Sequence, residues 1–468
     1  MTIESRSHGR DLLAFAHGLA LDDLPAGVVD NAKACLLDAL SCGIFGSGQT
    51  WSRLLADEML ADGTTGHGTV IGRQKQLAAP AAALCNGTAI HGCDIDDLIA
   101  VSITHPAACV IPAAIAAAEA VDASGARLLE AIVAGYEVMH RVGLALGTEP
   151  AMKGFHTTSL VAPIASAVAA AKVMSLSLDQ LLSAVGLACS ASSGIKSFAA
   201  GHGGGMVKRL HLGRSAEAGV RMAQLASRGF QGPPFGLDSR FGLLEVFGGA
   251  GAQADKMTRD LGQAWAVNDV WFKVYPICGW IQSAVQLVVE LRGGRTAEAV
   301  SAIEVGVSRY AVQNNGEPAP VDTMGAQYSI PYCVAVALLG DPRDPAWFRP
   351  DAVNDPIMRE LAGKVTIVVD PAVDAVYPAK FGARVKLTFS DGTISERTVL
   401  ECHGTPSDPC SHQEQLDKFR LLAGTRLSAA AVAELARLVD TVATSPVRAL
   451  TGPLRIGGET PQAQRKLA

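Results

Sequence analysis

From about residue 9 to residue 268 the chain repeats apolar side chains at helical spacing, one segment after another. Helices with one apolar stripe bury it by packing on other helices, so more than half of the chain is committed to a helical assembly. Residues 28–43, 112–121 and 126–146 carry apolar side chains at i, i+3 and i+4, with Ser124 and Gly125 as a break between the last two. Residues 156–182 continue the pattern, and 213–229 read as an amphipathic helix ended by Gly229. Composition agrees: 49% of residues are hydrophobic but only 5% are aromatic, and alanine and glycine are abundant, which favours closely packed helices over sandwiches.

After residue 268 the texture changes. Residues 301–310, 364–370 and 384–389 alternate or cluster β-branched side chains, and Ser390-Asp391-Gly392-Thr393 is a hairpin turn leading into 394–401. Helical spacing returns after Pro409, through 413–422 and 428–443. With 468 residues the chain exceeds one hydrophobic core. The expectation is a mainly α fold: a large discontinuous all-helical domain, 1–267 and 404–468, with a smaller α+β domain inserted at 268–403.

A net charge of −6 offers nucleic acid or an anionic membrane no general attraction, although a local basic pocket can still hold an anion. The ten cysteines are scattered, several in apolar runs (Cys35, Cys85, Cys189, Cys333), which fits free thiols in a reducing compartment. Charged residues interrupt the first 23 positions, leaving no signal-peptide core, and apolar runs such as 160–171 are too short to span a bilayer. A soluble cytoplasmic protein is expected.

Between His91 and Pro106 three carboxylates, two imidazoles and a thiol fall in one short strip of an alanine-rich chain. Unpaired buried charge is costly, so this density points to pairing, function or a solvent-filled cleft. Asp96 and Asp97 read equally well as helix caps. Asp94 lies three residues after His91, a spacing that lets a carboxylate orient an imidazole. A metal site at His91, Cys93 and Asp94 is disfavoured, because neither HExxH nor CxxC occurs. His105 precedes Pro106 and is biased towards an extended loop, whereas His156 stands at a helix start, where the dipole favours a neutral imidazole able to act as a base.

The segment 201–214 joins a glycine loop to Lys208, Arg209, His211 and Arg214, a combination suited to a carboxylate or phosphate. Met206 breaks the dinucleotide fingerprint and no P-loop pair follows. Lys273, among aromatics at the junction of the two parts, suits a substrate contact in an interdomain cleft. Nearby Tyr275 and Cys278 read as packing residues, since nothing supplies Cys278 with a base.

In order, the motifs His91-Gly-Cys-Asp94-Ile-Asp96-Asp97, Thr104-His105-Pro106, Gly154-Phe155-His156, Lys208-Arg209-Leu-His211-Leu-Gly213-Arg214, Arg228-Gly229-Phe230, Lys273-Val-Tyr275-Pro276 and Ser329-Ile-Pro331-Tyr332 resemble the MmgE/PrpD family. That family includes 2-methylcitrate dehydratase, cis-aconitate decarboxylase and iminodisuccinate epimerase. The resemblance covers nearly the whole chain. It implies a helical domain interrupted by an α+β lid, a homodimer, and an interdomain site that needs no metal or organic cofactor. By motif match, Asp94, His105, His156, Lys208 and Lys273 correspond to pocket residues of the decarboxylase branch.

Two departures bear on the substrate. The dehydratase branch extends its His-Pro motif as Trp-Gly-His-Pro-Ser-Asp, where this chain has Ile103-Thr104-His105-Pro106-Ala107-Ala108; many members carry a histidine shortly after Tyr-Pro, where this chain has Gln282.

The reading is a cofactor-free acid/base enzyme that removes a proton next to a carboxylate of a small di- or tricarboxylic acid, foremost a 2-methylcitrate-dehydratase-like lyase. An iminodisuccinate-type epimerase and a cis-aconitate-type decarboxylase are the alternatives. His105, His156 and Asp94 are the catalytic candidates, with His156 and His105 as base and acid in either order. Lys208 and Lys273 oppose developing negative charge, and His91 is a further substrate-binding candidate. A non-catalytic carboxylate sensor and an aconitase-like iron–sulfur hydratase are less well supported, the latter by the scattered cysteines.

Overall fold

The computed structural model describes residues 7–199 and 205–456. The fold is mainly α. The periodic segments at 28–43, 112–121 and 126–146 form the helices Ala26–Ser47, Ala107–Val121 and Gly125–Leu146, the last capped by Ser124. Residues 156–182 divide into Thr157–Val173 and Leu178–Cys189, because Ser177 and Gln180 form a capping box that starts a new helix. The helix expected at 213–229 begins earlier, at Val207–Ser227, so Lys208 and Arg209 lie in its first turn.

The helical part is not helix throughout. Gly68–Thr69 pairs antiparallel with Gln76–Leu77, and residues 228–268 are mostly turns with short 3-10 and π segments. Glycine costs about 1 kcal/mol in a helix interior, and this stretch is rich in glycine and contains Pro233 and Pro234.

One hydrophobic core is shared by residues from Leu12 to Phe272 and by Phe419 to Leu454, so both ends of the chain build it. Glu119, 1% exposed, ties these regions: its carboxylate accepts from Thr69 N, Thr69 Oγ1 and Thr451 Oγ1, each at 2.6 Å. The helix His412–Ala423 packs on Ala26–Ser47, where Lys418 meets Asp38 at 2.6 Å.

A second core runs from Ile277 to Phe389. It lies under a four-stranded sheet with the spatial order Val365–Val369, Val300–Val307, Ala383–Phe389, Ile394–Val399; the first pair is parallel and the others antiparallel. The foreseen turn at Ser390-Asp391-Gly392-Thr393 connects the last two strands, with Gly392 at φ 82° and Asp391 accepting from Thr393 N at 2.9 Å.

Small residues set the helix spacing around the site. A Cβ on Gly213 would lie 2.4 Å from Leu84 O, and one on Gly87 would lie 2.7 Å from Ala108 O and 2.9 Å from Gly213 Cα. The helix Ala79–Ile90 is therefore wedged against Ala107–Val121 and Val207–Ser227, which brings the turn at its end, beginning with His91, beside Lys208. Among the described residues no helix is long and apolar enough to cross a membrane.

Candidate active site

At the end of helix Ala79–Ile90 the chain makes a 3-10 turn, His91–Cys93, and then places Asp94 in the left-handed region at φ 55°. Ile103, in the same strip, also has φ 55°. Left-handed geometry costs a non-glycine residue roughly 1–2 kcal/mol, so the surrounding contacts must hold it. Four consecutive carbonyls show how. Arg209 Nε donates to Gly92 O at 2.8 Å, Gln327 Nε2 to Cys93 O at 2.7 Å, Lys273 Nζ to Asp94 O at 3.0 Å and Lys418 Nζ to Ile95 O at 2.7 Å. The donors come from four separate segments, and each satisfies a carbonyl that would be expensive to leave unpaired.

The left-handed turn aims the Asp94 carboxylate at two lysines. Lys208 Nζ lies 2.9 Å from one oxygen and Lys273 Nζ 2.5 Å from the other, all three residues being at most 2% exposed. Burial alone would raise the Asp94 carboxyl, but the two ammonium groups hold it well below the usual range. Burial likewise opposes charge on Lys273, and Asp94 together with Asp96 more than offsets it. The site therefore keeps two cations side by side on one shared anion. Lys208 also sits 5.5 Å from the ring centre of Tyr328, a cation–π distance.

Asp94 does not orient an imidazole as its spacing from His91 had suggested; its oxygens are taken by the lysines, and Asp96 has that place instead. His91 Nδ1 donates to Asp96 Oδ2 at 2.7 Å, and His105 Nδ1 lies 3.6 Å from the same oxygen. Asp96 and Asp97 are fully buried rather than solvated. Asp97 does serve the following helix, accepting from Ala107 N at 3.0 Å and from Tyr136 Oη at 2.8 Å. Burial, reinforced by Asp96, pushes the Asp97 carboxyl up to about 8. His91, Asp96 and His105 have the proximity of a metal-ligand trio, but both histidines spend Nδ1 on oxygens of this turn. The earlier trio does not assemble: Asp94 is engaged by lysines, and burial lifts the Cys93 thiol to about 12.

His105 Nδ1 lies 2.6 Å from Asp97 O. A carbonyl only accepts, so Nδ1 carries the proton and Nε2 keeps a lone pair. His156 stands at the N-cap of Thr157–Val173 without a side-chain cap bond; instead its Nδ1 faces His211 Nδ1 at 3.1 Å. Burial favours the neutral form of His105, lowering it to about 3 despite Asp96, and holds His156 and His91 well below their ordinary value. The rings cluster: His91 is 5.1 Å from His105 and 6.0 Å from His156, centre to centre.

Asp94, His105, His156, Lys208 and Lys273 all line one cavity of about 260 Å³ between the two cores. His91 does not; it is completely buried behind that wall, with Nε2 unpartnered. Cys278 lines the cavity, but burial raises its thiol to about 12, so it has no nucleophilic form at neutral pH. Gln282 lies outside the wall and clamps a loop through Tyr275 N, Tyr275 O and Ile277 O. Lys208 and Arg209 are buried rather than solvated, and Arg209 also stacks 4.0 Å from the Trp51 ring centre. The glycines 201, 203 and 204 and His202 lie outside the described residues.

Sequence reasoning missed Tyr328, Lys196 and Thr157, all in the cavity wall. Tyr328 directly precedes the Ser329-Ile-Pro331-Tyr332 motif, which was its only signal. Nothing local marks the other two.

Together these features define a mainly helical protein with an α+β portion and a buried site of neutral histidines and paired lysines. The chain belongs to the MmgE/PrpD family: residues 10–254 match the MmgE/PrpD N-terminal domain and residues 275–443 the MmgE/PrpD C-terminal domain. It is 28% identical over 454 residues to a cis-aconitate decarboxylase of Aspergillus terreus, covering 92% of each chain. It is 29% identical over 442 residues to the Homo sapiens cis-aconitate decarboxylase, covering 91% of this chain and 90% of that one. A 2-methylcitrate dehydratase of Cupriavidus necator is 27% identical over 395 residues, 80% of each.

Proposed function

We propose that this protein is a lyase that removes a proton beside a carboxylate of a small di- or tricarboxylic acid, using its own side chains as acid and base. The observation that carries this reading is the lysine pair on Asp94 beside two neutral histidines in one cavity. Deprotonation next to a carboxylate, or loss of carbon dioxide, builds negative charge on an anionic substrate, and Lys208 and Lys273 stand where such charge is offset. His105 is the base, because its Nε2 carries the lone pair. His156 is the acid: its partner is another imidazole, and when His211 donates, His156 holds its proton on Nε2. Asp96 holds His91 and His105 in place.

Dehydration of a 2-methylcitrate-like acid is the first reading. Decarboxylation is the second, favoured by the longer coverage of the decarboxylase relatives and by Ile103 and Ala107 flanking the Thr104-His105-Pro106 motif. Epimerisation of an iminodisuccinate-type substrate would use the same two histidines from opposite faces. The reading includes a cytoplasmic homodimer in which 268–403 closes as a lid over the helical domain formed by 1–267 and 404–468. The test is incubation of the purified protein with citrate-like and aspartate-like acids in deuterated water. A new alkene absorbance marks dehydration, carbon dioxide release marks decarboxylation, and exchange without either marks epimerisation; no exchange and no product from any acid would overturn the proposal.

A further inference from the structure

Beside the charged groups, the cavity has an aromatic wall that a citrate-like acid does not use. Trp280, Tyr310, Tyr377 and Phe381 all line it. Tyr310 and Tyr377 are stacked, with centres 5.3 Å apart and planes 17° apart; Trp280 lies 5.0 Å from Tyr310 and 5.6 Å from Phe381. Leu98, Met152 and Phe155 extend the apolar surface. Such a surface gains from an apolar ligand group and gains nothing from a carboxylate, which would lose water without a partner.

The charges point the same way. Among the described wall residues the cations are Lys196, Lys208 and Lys273, there is no arginine, and Asp94 offsets one of the three. Over the described wall residues the formal balance is that of a dianion. Lys196 is set at the aromatic wall: it donates to Tyr310 Oη and lies 5.1 Å from that ring centre. Two further polar groups of wall residues, Trp280 Nε1 and Thr157 Oγ1, are buried without a hydrogen-bond partner.

We infer that the substrate is a dicarboxylate bearing a ring-sized apolar substituent, with one carboxylate at Lys208 and Lys273, the second at Lys196, and the substituent against Trp280, Tyr377 and Phe381. This rests on the reading of the site as one for a small di- or tricarboxylic acid and narrows it to the dicarboxylates, in place of the citrate-like tricarboxylates. Lys196, Trp280 and Tyr377 then set specificity and take no part in proton transfer.

The test is calorimetric binding of benzylsuccinate, a dicarboxylate with an aromatic arm, against propane-1,2,3-tricarboxylate. Benzylsuccinate is expected to bind at least tenfold more tightly. Trp280→Ala or the milder Tyr377→Leu, with folding checked by melting, should erase most of that preference, and Lys196→Met should weaken benzylsuccinate at least fivefold. If the tricarboxylate binds as well or better, and Lys273→Met abolishes both, the carboxylate reading stands and this inference fails. If neither acid binds, or Lys273→Met changes neither, both fail together.

Discussion

His105 donates its Nδ1 proton to the backbone carbonyl of Asp97 across 2.6 Å, so the protein backbone itself selects the tautomer of the base. Because burial lowers His105 to about 3, its Nε2 should remain unprotonated at about pH 5, where a free histidine is mostly charged. Histidine nitrogen spectra of a labelled protein would show this as a neutral Nδ1–H ring; an imidazolium signal assigned to His105 at that pH would contradict it.

Among the described residues, Asp94 is the one carboxylate in direct ion-pair contact with the buried Lys208 and Lys273. Removing one partner of a buried ionic group typically costs about 3–5 kcal/mol, because the remaining charge loses its compensation. Asp94→Asn should destabilise by that order in a denaturant titration. Adding Lys273→Met should recover part of the loss, since one uncompensated ammonium is then gone. A double variant whose loss equals the sum of the two single losses would show that Lys273 is not coupled to Asp94.

The carbonyl clamp predicts effects far from the reacting groups. Gln327→Met removes the donor to Cys93 O and to Pro276 O, leaving buried carbonyls unpaired. The expected cost is about 2 kcal/mol, with a fall in kcat larger than any change in KM, since the turn that aims Asp94 loosens. Unchanged kcat in a folded variant would separate the clamp from catalysis.

Gly213→Ala places a methyl group 2.4 Å from Leu84 O, a backbone atom that cannot step aside cheaply. Overpacking of this kind costs about 1–3 kcal/mol. It should also push Lys208 away from Asp94, so the melting temperature and substrate affinity fall together. Gly27→Ala, where a Cβ meets nothing within 4 Å, is the control expected to leave both intact.

Stability should peak near pH 6.5. Below it, the unfolded chain takes up protons that His91, His105, His140 and His156 refuse in the folded state, so stability falls by about 1.4 kcal/mol per pH unit for each. Asp97 acts in the opposite sense. With its folded value near 8 it keeps a proton that the unfolded chain has lost, so its contribution declines as pH rises from about 4 to 8. Asp94, with a lowered value, contributes throughout and fades only in stronger acid. Urea midpoints across pH should show the decline between 6.5 and 8 in the native protein and lose it in Asp97→Asn.

The helices around the site were legible because they are long and strongly periodic, and the hairpin at Ser390-Asp391-Gly392-Thr393 because its turn chemistry is local. Asp94, His105, His156, Lys208 and Lys273 stood out as charged or titratable residues in apolar or glycine-rich surroundings, and they meet in one cavity. What the sequence hid depends on tertiary geometry. The left-handed turn at Asp94 redirects its carboxylate from the imidazoles to the lysines, and Asp96, which reads as a cap, becomes the histidine partner. Arg209, Gln327 and Lys418 reach carbonyls more than a hundred positions away, and no spacing rule encodes such contacts. The extended turns at 228–268 were masked by apolar residues that kept the helical spacing while glycine and proline broke the helix.

Solvent exchange in the histidine variants tests the central claim most directly. With an acid that the native protein turns over, deuterium uptake at the carbon beside the carboxylate should fall by about 10²–10⁴-fold in His105→Ala and in His156→Ala, both verified as folded. If both variants exchange and turn over at the native rate, these histidines are not the acid and base, and the account of the site is wrong.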